Sequence, residues 1–426
     1  MIKGLTMCAL CLATAALAAE PEFKLVPAEL VKPRDGLGNV FAKLKAGKDV
    51  KIGYFGGSIT AAGGWRVKTL KWFQQTYPQA KVSEINGAIG GTGSDFGVFR
   101  YGQHVLQYKP DLVFVEFAVN DGGADPKHIW RTMEGIVRQT WAANPETDIC
   151  YVYTFRTGYE KDLAQGLNPQ AASADEVLAD HYGIPSINVA LRTVQLAREG
   201  KLIYVPKKDE QGKDLPTPEG VMLFSTDGVH PLDPAHAMYT QVIADALKQM
   251  EATAKPGPHA LKPAFVADNC ENAKMLPLDP VMLSAGWKKL SPTEGLGRNF
   301  HNFMPEIWEA TQPGEKITLQ FKGTALKLYD LMGPDGGMVV ATVDGKASRP
   351  MPLFDSYCSY HRAAWIGVAD GLPDAVHSVT VEIQKEQPDR TSVTSKEKDK
   401  PGFDPKKYDG TVVRVGWIML IGDLVK

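Results

Sequence analysis

The sequence predicts an α/β fold, a parallel sheet covered by helices on both faces, followed by an all-β sandwich. Three observations support this. Between residues 50 and 250, short apolar runs alternate with stretches of helical spacing, the pattern of buried parallel strands joined by crossover helices. Past Lys255-Pro256-Gly257-Pro258 the runs become short, alternating and punctuated by turn residues, as in half-buried antiparallel strands. A chain of 426 residues also exceeds what one hydrophobic core comfortably serves. The expected division is an export leader at 1–19, an α/β domain at 20–254 and a jelly-roll-like β-sandwich at 255–426.

Each element has its own signal. Val50-Lys51-Ile52-Gly53-Tyr54-Phe55 is an apolar run ending at Gly56-Gly57, as a buried strand entering a tight turn would. Residues 65–77 carry Trp65, Leu70, Trp72 and Phe73 at helical spacing and stop before Pro78. Strands follow at 82–85 and at 112–117, the second introduced by Pro110-Asp111. Residues 129–142 read as a helix, 148–154 as a fourth strand, 171–182 as a helix and 185–189 as a short fifth strand. An amphipathic helix at 238–250 closes this part. Beyond it, 316–321, 325–329, 338–343, 378–383 and 412–421 alternate as strands do, with turn signals at 333–337 and Asp344-Gly345. Two polar stretches, 205–220 and 386–407, read as surface insertions. No internal repeat is visible.

At the N-terminus, Lys3, an apolar stretch at 5–15 and Ala16-Leu17-Ala18 give the three regions of a secretory leader, cleaved after Ala18 or Ala19. The stretch is too short for a comfortable bilayer span, and Met7 and Leu10, before Cys8 and Cys11, are not the small residues of a lipoprotein site. Its removal leaves Cys150, Cys270 and Cys358, too few for a disulfide framework. Cys150, inside an apolar run, reads as a buried free thiol, whereas Cys270 and Cys358 could pair in an oxidising compartment. No spacing resembles a zinc site. A net charge of −2, without any basic run interleaved with aromatics, gives no footing for nucleic acid or anionic lipid.

Three segments carry the candidate chemistry. Gly56-Gly57-Ser58-Ile59-Thr60 puts a serine at the carboxyl end of the first parallel strand, where α/β sheets receive ligands. Its glycines allow a sharp turn and close approach of a substrate, although Gly-Gly-Ser alone also occurs in plain turns. Thr226-Asp227-Gly228-Val229-His230-Pro231 supplies what a serine nucleophile lacks. An imidazole can take the hydroxyl proton, and a carboxylate three residues earlier can fix its tautomer. Glu116-Phe117-Ala118-Val119-Asn120-Asp121 ends another strand with an amide able to reach an oxyanion, or simply to cap a helix. Between the first and third segments, Asn86-Gly87-Ala88-Ile89-Gly90-Gly91-Thr92 is a glycine-rich turn that can point a backbone N–H at the same place.

In chain order, the four segments resemble the SGNH (GDSL-like) hydrolase family over about residues 50–250. Ser58 matches the family's first-block serine, Gly91 its second-block glycine, Asn120 its third-block asparagine, and Asp227 and His230 its Asp-x-x-His. The sequence departs in two places. The family's Gly-Asp-Ser-Leu stands here as Gly56-Gly57-Ser58-Ile59, and its Gly-x-Asn-Asp as Ala118-Val119-Asn120-Asp121. Neither removes a reactive group. The resemblance implies a flavodoxin-like three-layer α/β/α domain and ester hydrolysis through an acyl-serine, with Ser58, His230 and Asp227 as the triad. It also implies an oxyanion hole from Ser58, Gly91 and Asn120, with no metal or organic cofactor.

The resemblance also directs the substrate expectation. Sandwich modules accompany carbohydrate esterases of this family, and an exported enzyme meets polysaccharides as abundant esters, so an O-acetyl ester on carbohydrate is expected. Trp287, Trp308, Tyr357, Tyr360 and Trp365 are available for sugar stacking, though most read as sandwich core. Gly57, Asp121, Tyr360, His361 and Arg362 are candidates for lining the substrate cleft. Two alternatives stand beside this reading. One is a lipase or lysophospholipase of the same family, disfavoured because no long apolar lid is visible. The other is a catalytically silent glycan-binding protein, which would not need Ser58, Asn120, Asp227 and His230 together.

Overall fold

The apolar runs of the first part become one six-stranded sheet with helices on both faces, in a computed structural model that describes residues 22–253 and 255–425. In chain order the elements are β1 (Val31–Lys32), α1 (Gly38–Lys45), β2 (Val50–Gly56), α2 (Ser58–Ala61), α3 (Trp65–Thr76), β3 (Val82–Asn86), α4 (Ser94–His104) and β4 (Leu112–Glu116). There follow α5 (Pro126–Ala143), β5 (Asp148–Tyr153), α6 (Glu160–Leu163), α7 (Gln170–Tyr182), β6 (Ser186–Asn188), α8 (Val189–Arg198), β7 (Leu202–Ile203), β8 (Met222–Leu223) and α9 (Asp233–Thr253).

The sheet order is β1-β6-β5-β4-β2-β3, parallel throughout except for the antiparallel edge strand β1. Strands β4 and β5 are buried along their whole length, which is why they read as continuous apolar runs. The chain enters the parallel sheet in its interior, with β2 between β3 and β4. Crossovers therefore leave β2 and β4 in opposite senses and open a crevice at their carboxyl ends. Helices α4 and α8 have no counterpart in the sequence reading. Ser94, Phe96, Gly97, Val98, Phe99, Arg100 and Tyr101 of α4 are all buried, so this helix has no polar face to betray its period.

The second part is antiparallel: β9 (Ala273–Pro277), β10 (Lys288–Lys289), β11 (Trp308–Ala310), β12 (Lys316–Met332), β13 (Met338–Val343), β14 (Lys346–Ala347), β15 (Met351–Pro352), β16 (Arg362–Ala369), β17 (Ala375–Ile383) and β18 (Val413–Leu424), with short helices α10 (Gly295–Phe300) and α11 (Thr391–Glu397). Two expectations change here. The runs 316–321 and 325–329 are one strand, β12, which passes Lys322-Gly323-Thr324 with a shift of register where Gly323 faces Gly422 of β18. The polar stretch 386–407 is not all loop: α11 buries Val393 against Phe354, Cys358 and Tyr408.

The two parts share a core. Phe96 of α4 meets Tyr329 of β12 edge-on at 4.6 Å and stacks on Trp365 of β16 at 5.2 Å. The intervening chain is strapped along α5: the backbone N–H groups of Phe265 and Val266 donate to the Glu134 carboxylate at 2.5 and 2.8 Å, and Cys270 N–H donates to Arg131 O at 2.9 Å. Cys150, Cys270 and Cys358 are all buried and free. Cys270 lies in the shared core and Cys358 beneath α11, so the considered pairing of these two is not formed. The leader expected at 1–19 lies outside the described residues, among which no helix is long and apolar enough to cross a membrane.

Candidate active site

Strand β2 ends at Gly56 and the chain turns through Gly57 into α2, whose first residue is Ser58. The turn is held at two points: Gly57 N–H donates to Glu116 O at 3.3 Å, and the Thr60 hydroxyl donates to the Glu116 carboxylate at 2.8 Å. The second Glu116 oxygen accepts from Thr154 at 2.8 Å, so one buried carboxyl ties the ends of β2, β4 and β5 together. Burial raises this carboxyl to about 7 despite both hydroxyls. Nothing in the sequence singled out Glu116. Its role depends on which strands are neighbours.

Across the crevice, the loop before α9 presents Asp227 and His230. Asp227 Oδ1 accepts from the backbone N–H groups of Val229 at 2.8 Å and His230 at 2.9 Å, and from the Ser225 hydroxyl at 2.8 Å. Its Oδ2 accepts from His230 Nδ1 at 2.6 Å. Burial alone would raise the Asp227 carboxyl, but the hydrogen bonds from His230, Val229 and Ser225 outweigh it and hold the group well below the usual carboxylate range. The turn needs its glycine: Gly228 has φ +83°, and a Cβ there would lie 2.6 Å from Thr157 Oγ1. With Nδ1 bonded to the carboxylate, Nε2 faces Ser58 Oγ at 2.8 Å and accepts its proton. Serine, imidazole and carboxylate, 172 and 3 residues apart, thus form one hydrogen-bonded line. His230 and Asp227 are each 52% exposed, so the line stands at the surface and not in a deep shaft.

The other expected groups converge beside it. A Cβ on Gly57 would fall 1.9 Å from Asn120 Oδ1, so the Asn120 amide lies directly against the serine turn and only glycine admits it. Gly90 lies over Ser58, a Cβ there reaching within 3.5 Å of the serine Cβ, and Gly91 next to it has φ +72° and faces open space. A cavity of about 270 Å³ adjoins these residues, lined by Gly91, Gly93, Asn120, Asp121, His128 and Trp365 among others. Asp121 is buried, its Oδ1 accepting from the first N–H of α4 at Ser94 at 2.9 Å, and burial pushes its carboxyl up to about 7.

The candidates from the β domain divide. His361 and Arg362 are engaged inside that domain, His361 with Asp335 at 3.2 Å and Arg362 with Asp355, while Tyr360 is 56% exposed on the preceding loop. Trp365, a few residues on, is the one that lines the cavity at Gly91 and Asn120. It is stacked on Phe96 and has the Lys327 ammonium 5.5 Å from its ring. Larger grooves, of about 920 and 810 Å³, lie on the β domain and along the seam and include none of Ser58, Asp227 and His230.

Comparison with curated proteins yields no match. Among solved structures, a two-domain esterase (CEX) active on acetylated mannans, co-crystallised with mannopentaose, superposes with a TM-score of 0.70 at 20% identity, covering 95% of this chain and 99% of that one. A second structure of a two-domain esterase of that description gives 0.66 at 19% identity, over 93% and 98%. At these identities the likeness concerns the fold, and it extends over both parts of the chain. Residues 54–238 match the model of the GDSL-like lipase/acylhydrolase family. The serine turn, the turn at Gly91, Asn120 and the Asp-x-x-His loop all fall within that span, so the part of the chain that carries the candidate site is similar to the GDSL-like lipase/acylhydrolase family.

Proposed function

We propose that the chain is an exported serine esterase that removes O-acetyl groups from carbohydrate. The observation that carries the esterase reading is the line from Ser58 Oγ through His230 to Asp227, at 2.8 and 2.6 Å. In the reaction, Ser58 Oγ attacks the acetyl carbonyl as its proton passes to His230 Nε2, and Asp227 stabilises the imidazolium. The tetrahedral oxyanion is held by the backbone N–H groups of Ser58 and Gly91 and by the Asn120 amide. His230 then gives its proton to the departing sugar oxygen as the C–O bond breaks, leaving acetyl-Ser58. Water attacks next, deprotonated by the same imidazole, and acetate leaves with Ser58 restored.

The substrate reading rests on the surroundings. The half-exposed line admits an ester that projects from a polymer, and the adjoining cavity is small and lined by Asp95, Asn120, Asp121 and His128 beside a single indole, which suits a sugar ring better than a long acyl chain. The solved two-domain esterase of the same fold acts on acetylated mannans. Export rests on the leader at 1–19 and is checked by the mass of protein recovered outside the cytoplasm, which should lack residues up to Ala18 or Ala19.

The test of function compares initial rates on acyl esters from acetyl to decanoyl, and on acetylated polysaccharide, between wild type and Ser58→Ala. The expected result is a maximum at acetyl that the substitution abolishes. A maximum at long chains would move the substrate to lipids. Glycan affinity without Ser58-dependent turnover would make the protein a binder.

A further inference from the structure

Arg100 is fully buried in α4, immediately behind the Gly87–Thr92 turn. Among the described residues it has no carboxylate partner. Its guanidinium donates instead to Gly87 O, at 3.4 Å to Thr92 Oγ1 and at 3.4 Å to His104 Nδ1 one turn on in α4, and the Thr92 hydroxyl donates in turn to Ile89 O at 2.8 Å. The faces of Phe55 and Phe96 lie 4.5 and 5.5 Å from the guanidinium carbon, and Nε has no partner. Burial lowers the group to about 10, with the Tyr329 phenol acting the other way, so it stays charged at neutral pH.

A cation buried without a counter-ion is expensive, and an apolar side chain of similar length would fill this space at lower cost. What the guanidinium does that an apolar chain cannot is hold two acceptors at opposite ends of one turn. The first half of that turn has its own anchors, Gly87 N–H to Tyr54 O at 2.9 Å and Ile89 N–H to Gly56 O at 3.1 Å. The second half, which contains Gly91, is tied down through Thr92 and hence through Arg100. The support reaches into the β domain, where Tyr329 packs edge-on against Phe96 at 4.6 Å.

On the esterase reading above, we propose that Arg100 is a positioning residue: clamped between Gly87 and Thr92 and backed by Tyr329 of the β domain, it fixes the Gly91 N–H on the oxyanion and leaves its unbalanced positive charge behind that site. The charge costs most in the resting protein and is partly balanced as negative charge develops on the substrate oxygen, which is the differential effect catalysis needs.

The test uses the full chain with Arg100→Met, Arg100→Lys and, in case the first fails to fold, Thr92→Val, which cuts the link while leaving Arg100 in place. For each, kcat and KM on 4-nitrophenyl acetate are measured with the inhibition constant of a trifluoromethyl ketone, whose adduct carries an oxyanion. The proposal expects KM within about twofold, kcat down about 10²-fold for Arg100→Met and about tenfold for Thr92→Val, partial recovery with lysine, and ketone affinity falling in parallel. Thr92→Val and any folded Arg100→Met with wild-type kcat and ketone affinity would overturn it, whatever their melting temperatures. A wild type without Ser58-dependent turnover would overturn the esterase reading instead.

Discussion

Replacing Asp227 by asparagine isolates one contact of the proposed catalytic line. Asparagine keeps an oxygen where Asp227 Oδ1 accepts from Ser225, Val229 and His230, so the loop retains its shape. It puts an NH₂ group where Oδ2 now accepts from His230 Nδ1 at 2.6 Å. Two donors then face each other, the imidazole is driven to the tautomer protonated on Nε2, and that nitrogen can no longer accept the Ser58 proton. A hydrogen bond to a charged acceptor contributes about 1.5–3 kcal/mol, equivalent to about 10- to 150-fold in rate. The same change in a fully buried triad costs about 10⁴-fold. Here both side chains are 52% exposed, water can share the task, and the loss should be about 10²-fold in kcat/KM, with little change in melting temperature. Steady-state kinetics on 4-nitrophenyl acetate, corrected by active-site titration, gives the number. Activity within threefold of wild type would refute the argument that Asp227 sets the imidazole tautomer.

Three further substitutions probe the surroundings. Gly57→Ala places a methyl 1.9 Å from Asn120 Oδ1 and must displace the amide. It should lower kcat by about 10²- to 10³-fold with KM little changed, and a variant keeping half the wild-type kcat would remove Asn120 from the proposed oxyanion hole. Trp365→Ala should raise KM about tenfold on an acetylated oligosaccharide, the order of one aromatic contact, while leaving 4-nitrophenyl acetate within about twofold; equal effects on both substrates would make the indole merely structural. Glu116→Gln tests the buried carboxyl. Held at about 7 by burial against an ordinary 4.5, native Glu116 keeps a proton that the unfolded chain has lost. Its contribution is therefore present below about pH 4.5 and is lost as pH rises through about 7, a change of about 3 kcal/mol. Urea melts between pH 4.5 and 8 should show a correspondingly shallower decline in the variant, and an unaltered slope would place the titration elsewhere.

What the sequence made legible, and what it did not, divides on physical grounds. Strands buried on both faces are written as apolar runs, and the groups proposed for the reaction sit at their ends in short segments whose residue types are chemically restricted: a serine after two glycines, an asparagine after a strand, a histidine three residues past an aspartate. Those signals are local. The groups that hold them in place are not. Glu116 looks like an ordinary strand residue until β2 and β5 are known to flank β4, and Ser225 looks like any loop serine until its hydroxyl is seen to bind Asp227. Helix α4 escaped detection because the α/β sheet lies on one side of it and the β domain on the other, leaving no polar stripe to mark its period.

The same burial explains why the β domain is more than an appendage on this fold. Tyr329 and Trp365 come from β12 and β16, yet both lie on Phe96 in the first turn of α4, and α4 follows directly from the turn that contains Gly91. A shift of the β domain by even an ångström would be felt at Phe96, since close-packed interiors transmit strain instead of absorbing it. From there it would pass to Asp121, whose carboxylate holds the first N–H of α4 one residue from Asn120. The proposed oxyanion groups are therefore set from two sides, by the strand ends of the α/β sheet and by the β domain pressing on α4. On this reading, substitution of Tyr329, which packs on Phe96 without lining the cavity, should change kcat in step with substitutions at Gly91 and Asn120, although its side chain touches no reacting atom.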